Sequence, residues 1–117
     1  MLQHVALEVR EADAPGMLAF LALLGFEPVE PPATLAGRTA WARRAGTQVH
    51  LLFTGDPVVP PEGHTAVVLD DYEASLETLR EAGHDVEPRQ EHWGAPRAFV
   101  TAPAGHRFEV MAAPPPD

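Results

Sequence analysis

Apolar residues recur along this chain with two periods that alternate. HVALEV (4–9) and HTAVVL (64–69) place apolar residues at every second position, as half-buried strands do. Met17, Phe20, Leu21 and Leu24 follow the i, i+3, i+4, i+7 spacing of a helix that starts at Asp13 and Pro15 and stops at Gly25. Tyr72, Leu76 and Leu79 form a second stripe. Asp70 is the expected N-cap there, Glu73 its capping-box partner and Gly83 the stop. Three strand-like segments follow each helix: about 26–30, 37–43 and 47–53 in the first half, about 85–90, 96–101 and 106–112 in the second. GDPVVPPEG (55–63) is a linker whose proline and glycine keep it out of helix and sheet interior, and APPPD is a polyproline-like tail.

The two halves are copies of one plan. AGTQVHLL (45–52) sets over AGHRFEVM (104–111), which puts His50 opposite Glu109 at an offset of 59 residues. Arg38 falls opposite Arg97 at the same offset, His4 opposite His64 at 60 and Gly25 opposite Gly83 at 58. The unit is therefore βαβββ used twice. The expected architecture is α+β: a curved, cup-like mixed sheet with helices on its outer face. A single domain is expected, with repeat one at about 1–54, the linker at about 55–62 and repeat two at about 63–113.

Alternation decides which side chains face away from the helices. Val5, Leu7 and Val9 pack inward, so His4, Ala6 and Glu8 point to the open face. By the same logic His64, His50 and Glu109 share that face. Each has an ordinary structural reading as a solvated or hydrogen-bonded strand residue. Matched by repeat position and by face, His4, His50, His64 and Glu109 make a set suited to a divalent metal, with His50 its weakest member. Imidazole and carboxylate suit Zn, Fe, Ni, Co or Mn.

Charge and composition narrow the field. The 117 residues carry a net charge of −9, and all eight basic residues are arginine. That balance argues against nucleic-acid binding and suits capture of a cationic ligand. There is no cysteine, hence no disulfide and no thiolate metal site. With no apolar run long enough for a membrane and no signal-peptide pattern, the simplest expectation is a soluble cytoplasmic protein.

HVALEV with LLGFEPVE, GHTAVVLDD, WGAPRAFVTAPAG and HRFEVM together resemble the vicinal oxygen chelate superfamily of glyoxalases, bleomycin-resistance proteins, fosfomycin-resistance transferases and extradiol dioxygenases. The resemblance covers nearly the whole chain. It implies metal ligands at His4, His64 and Glu109 and a fourth position at His50, where glyoxalases commonly carry glutamate. It implies a metal-dependent lyase, isomerase or dioxygenase acting on a small oxygen-bearing substrate, with Trp93 and Arg97 of the tryptophan–glycine hairpin lining the cup. It also implies a homodimer. The alternative within the same superfamily is a metal-free protein of the bleomycin-resistance kind that sequesters a small cationic molecule. His92 is a further weak candidate; His84 and His106 read as turn residues.

Overall fold

Two successive βαβββ units make up the chain, in a computed structural model that describes residues 1–117. The first compact unit is Met1–Val59 and the second Pro60–Asp117, so the boundary falls inside the proline-rich linker. In the first, β1 (His4–Val9), α1 (Ala14–Leu23), β2 (Glu27–Val29), β3 (Thr39–Arg44) and β4 (Thr47–Phe53) give a four-stranded sheet in the order β1-β4-β3-β2. In the second, β5 (Thr65–Val68), α2 (Tyr72–Glu81), β6 (Val86–Arg89), β7 (Arg97–Thr101) and β8 (Arg107–Met111) repeat the order as β5-β8-β7-β6. In each sheet the first and last strands are parallel and the other pairs antiparallel. The fold is α+β, with two mixed sheets of equal plan.

Both helices end as their sequences dictate. Gly25 and Gly83 adopt φ of +90° and +89°, a conformation that glycine enters without a Cβ penalty. In α1 the Gly25 amide donates to Ala22 O and the Phe26 amide to Leu21 O; in α2 Gly83 donates to Arg80 O and His84 to Leu79 O. This double bond pattern is the Schellman motif, and it satisfies carbonyls that the helix end would orphan. His84 is thus a helix-stop residue.

Helix α1 starts at Asp13 and Pro15 as expected, whereas the start of α2 differs. The N-cap of α2 is Asp71, one residue beyond Asp70, and no side-chain capping bond forms at either helix. An N-cap is worth about 1 kcal/mol. Each fully buried large apolar side chain is worth about 1.5–3 kcal/mol, and Met17, Phe20 and Leu21 on α1 and Tyr72, Leu76 and Leu79 on α2 are all buried. Burial of the stripe therefore outweighs capping, and the cap can slip by a residue at small cost. Val9, Val49 and Leu51 complete the core of the first unit; Val67, Val100, Phe108 and Val110 do so in the second.

The duplication extends to backbone irregularity. Ala45 and Ala104, at repeat-equivalent positions, are the two non-glycine residues with positive φ, at 53° and 66°. A left-handed alanine costs on the order of 1–2 kcal/mol. Ala104→Gly should therefore stabilise the chain by about 1 kcal/mol, seen as a higher urea midpoint with an unchanged denaturant slope. A lower midpoint would contradict this reading.

Candidate functional site

Strand pairing fixes which side chains sit side by side on the open face of each sheet. In the first unit Ala6, His50 and Trp41 are directly opposite one another across β1, β4 and β3. In the second, Ala66, Glu109 and Phe99 hold the same places across β5, β8 and β7. His50 and Glu109 are thus counterparts, as the repeat alignment expects. The hairpin partner of Leu52 is Thr39, and that of its counterpart Met111 is Arg97. The residue equivalent to Arg97 is therefore Thr39, which corrects the alignment of Arg97 with Arg38.

That one-residue correction has a chemical consequence. Arg97 reaches Glu109: Nη1 donates to Oε2 at 3.2 Å, while Nε donates to Gln90 O at 2.8 Å. The two side chains are only 12% and 9% exposed, so this is a largely desolvated pair. Thr39 is too short for such a task and spends its hydroxyl on Leu51 O at 2.8 Å. Glu109 has an arginine holding it; His50 has none.

In the second unit His64 meets the other oxygen of Glu109. His64 Nε2 lies 3.1 Å from Oε1. The opposite ring nitrogen, Nδ1, lies 2.9 Å from Glu62 O. A carbonyl only accepts, so Nδ1 carries the proton and the lone pair of the neutral ring falls on Nε2. A lone pair then faces a carboxylate oxygen, and the contact needs a cation between them, a proton or a metal. A histidine whose far nitrogen donates to a backbone carbonyl is the usual arrangement of a metal ligand. The ring also packs edge-on against Phe99, with centroids 5.1 Å apart.

In the first unit three rings form a column. Trp41 and His50 stack at 3.9 Å with planes 3° apart, and His50 and His4 stack at 4.1 Å and 18°. His50 Nε2–H donates to Gln48 Oε1 at 2.7 Å, which puts its lone pair on Nδ1. His4 Nδ1–H donates to Gln3 Oε1 at 2.6 Å, which leaves Nε2 as its lone-pair nitrogen. Burial, and secondarily the neighbouring His4, holds the His50 pKa below the ordinary imidazole value of 6.5. His50 is therefore neutral through the physiological range, the form needed in a ligand or a base.

The sign of that shift gives a direct expectation. Below pH 6.5 the unfolded chain takes up a proton that folded His50 resists, so stability falls as pH drops from that value to the folded pKa. Protonation also places an imidazolium against the Trp41 face. In Trp93→Phe protein, which leaves Trp41 as the only tryptophan, fluorescence should be quenched with a midpoint below 6.5. Quenching should vanish in the same protein carrying His50→Gln. A midpoint at or above the ordinary value would show the burial effect to be wrong.

His92 and Trp93 lie in the loop that precedes β7. Trp93 is half-buried and its Nε1–H donates to Ala113 O at 2.9 Å. His92 is exposed beside it, with ring centroids 6.5 Å apart. Glu8 accepts from the Val58 amide at 2.9 Å. His106, read from sequence as a turn residue, is buried. Two aromatic residues given no site role from the sequence, Trp41 and the hairpin motif's Phe99, flank the candidate ligands. No group of three or more His, Asp or Glu side chains is assembled to hold a metal; the second unit offers two donors, His64 and Glu109, and the first offers its two stacked histidines.

The fold has many solved counterparts. A glyoxalase-family protein from Bacillus anthracis superposes with a TM-score of 0.86 at 20% identity, over 95% of this chain and 93% of that one. The oxidase ChaP-H2 gives a TM-score of 0.77 at 23% identity, covering 98% and 94%. A mutant of the fosfomycin-resistance protein FosX from Listeria monocytogenes, complexed with Mn(II) and 1S,2S-dihydroxypropylphosphonic acid, gives 0.76 at 18% identity, covering 97% and 93%. These likenesses establish the fold alone. No curated protein matches the chain in sequence. The sequence profile of one family, however, matches residues 2–110. Duplicated βαβββ units, counterpart polar residues on the open sheet faces and a match over nearly the full length lead to one conclusion: the chain belongs to the Glyoxalase/Bleomycin resistance protein/Dioxygenase superfamily.

Proposed function

We propose that the protein is a metal-dependent enzyme of this superfamily, with His64 and Glu109 as ligands to a divalent cation. The observation that carries this reading is the His64–Glu109 contact. Its lone-pair nitrogen and carboxylate oxygen already face each other at 3.1 Å, and Glu62 O and Arg97 hold the two groups from behind. The donor set is nitrogen and oxygen without sulfur, which fits Mn, Fe, Co, Ni or Zn. The FosX structure contains Mn(II), which supports a metal of this class without naming the one used here.

Bound there, such a cation would act as a Lewis acid toward oxygens of a small substrate. The protein's own contribution lies in its side chains. Arg97 pins one oxygen of Glu109, so the other stays directed at His64. Neutral His50, with its lone pair on Nδ1, is suited to accept a proton. Trp41 and His4 hold that ring upright by stacking on its two sides.

Isothermal titration of chelator-treated protein with MnCl2, NiCl2 and ZnCl2 tests the proposal. One site per chain is expected for at least one of them, and His64→Ala should weaken it at least tenfold. A His64→Ala protein that binds metal as the wild type does would remove His64 from the site. The second reading is sequestration of a small molecule without a metal; it is favoured by the lack of a ready three-ligand group. It predicts no stoichiometric binding of any of the three ions.

A further inference from the structure

The open face of the first sheet borders a cavity of about 740 Å3, within the range of small-molecule sites. Its walls include Leu35, Trp41, Leu52 and Phe53, and Leu52 is an exposed large apolar residue. An uncovered apolar surface of this kind, set in a concavity, is where an apolar ligand gains most from leaving water.

Arginine sets the charge of the cavity wall. The whole chain has 17 acidic residues against 8 arginines, yet the cavity is lined by two arginines, Arg10 and Arg38, against one acid, Glu11. Local charge thus has the opposite sign to global charge. Several other arginines are committed: Arg43 to Glu27, Arg89 to Glu87 and Arg97 to Glu109. Arg107 lies over the Phe99 ring at 4.8 Å. Arg10 meets only a neutral acceptor, Gly55 O, at 3.2 Å. Arg38 stands one residue outside the register that gave Arg97 its carboxylate, and it pairs with no acid. A guanidinium without a counter-ion beside an apolar cavity is a planar, always charged, two-pronged donor for an anion.

We infer that this cavity binds a small amphipathic anion: an apolar, ring-sized body seated against Leu35, Trp41, Leu52 and Phe53, with a carboxylate or similar anionic head between Arg10 and Arg38. The chain's acidity alone points to a cationic ligand; the cavity points the other way. The inference is independent of the metal, because none of the two arginines and four apolar residues it uses is a candidate metal ligand. It deepens the proposed function only in that His50 also lines the cavity, so a ligand held there reaches the candidate base.

The test is calorimetric titration of chelator-treated protein with 2-naphthoate, 2-naphthylmethanol and 2-naphthylmethylammonium, three probes of one shape and three charges. Naphthoate should bind about tenfold or more tighter than the ammonium, with affinity falling as salt is added. Both arginines are exposed, so a single Arg38→Gln or Arg10→Gln should weaken naphthoate by about fivefold. Neither should change the affinity for the neutral alcohol by more than about twofold. Arg107→Gln, in the second unit, should leave naphthoate binding unchanged. The inference is overturned if naphthoate does not bind, if the ammonium binds as tightly, or if both cavity arginines can be replaced without effect. Failure of metal binding would leave these outcomes as they are, so the two proposals fall separately.

Discussion

Replacing Glu109 with alanine is expected to cost the protein about 3 kcal/mol of stability or more, a large part of the ~5–15 kcal/mol that holds a domain of this size together. The reason is what the substitution leaves behind. Arg97 is charged at every accessible pH and only 12% exposed, and without Glu109 its Nη1 has lost its carboxylate. Breaking a buried pair from one side is costly because the other charge stays buried. Urea denaturation of Glu109→Ala, Arg97→Met and the double variant separates this from simple loss of contacts. The double variant should be more stable than the sum of the single changes predicts, by ~1–3 kcal/mol of coupling. Strict additivity would show that the two groups do not hold each other.

The second large effect is stabilisation by a divalent cation. A ligand that binds only the folded chain adds about 2.7 kcal/mol at a hundred times its dissociation constant. That corresponds to a rise on the order of 10 °C in Tm for a chain of this length. The same cation should stabilise His64→Ala far less, because Glu109 Oε1 then lacks its nitrogen partner while Oε2 stays bound to Arg97. Metal ligation requires unprotonated imidazole, so the gain should also shrink as pH is lowered. Thermal unfolding with and without ZnCl2, at two pH values, reads all of this. An equal rise in wild type and His64→Ala would place the metal elsewhere.

Much of the fold is legible in the residue pattern because burial dominates it. Met17, Phe20, Leu21 and Leu24 can form one stripe only on a helix, and Gly25 and Gly83 stop their helices in the left-handed conformation that their position needs. The cap of α2 was misread by one residue because Asp70 and Asp71 are chemically alike and the energy at stake is small. The open-face placement of His50 and Glu109 follows from alternation alone. Trp41 and Phe99 were given no site role for a different reason. They lie opposite those residues only through hairpin register, and register comes from counting back from the turn at Ala45–Gly46 and the loop after Thr101. Once those turns are placed, the pairings follow from the sequence. The partner of Arg97 does not follow in the same way: alignment of the halves matches it with Arg38, whereas strand pairing matches it with Thr39. Whether an arginine meets a carboxylate depends on that single step.

The most direct measurement is long-range 1H–15N NMR of the histidine rings during titration with ZnCl2. The lone-pair nitrogen assigned above, Nε2 of His64, should move toward metal-bound shifts and reach its end point at one equivalent. The partner nitrogen on Glu62 should keep its proton. If the His64 ring does not respond to the metal, the proposal of a cation held by His64 and Glu109 is contradicted.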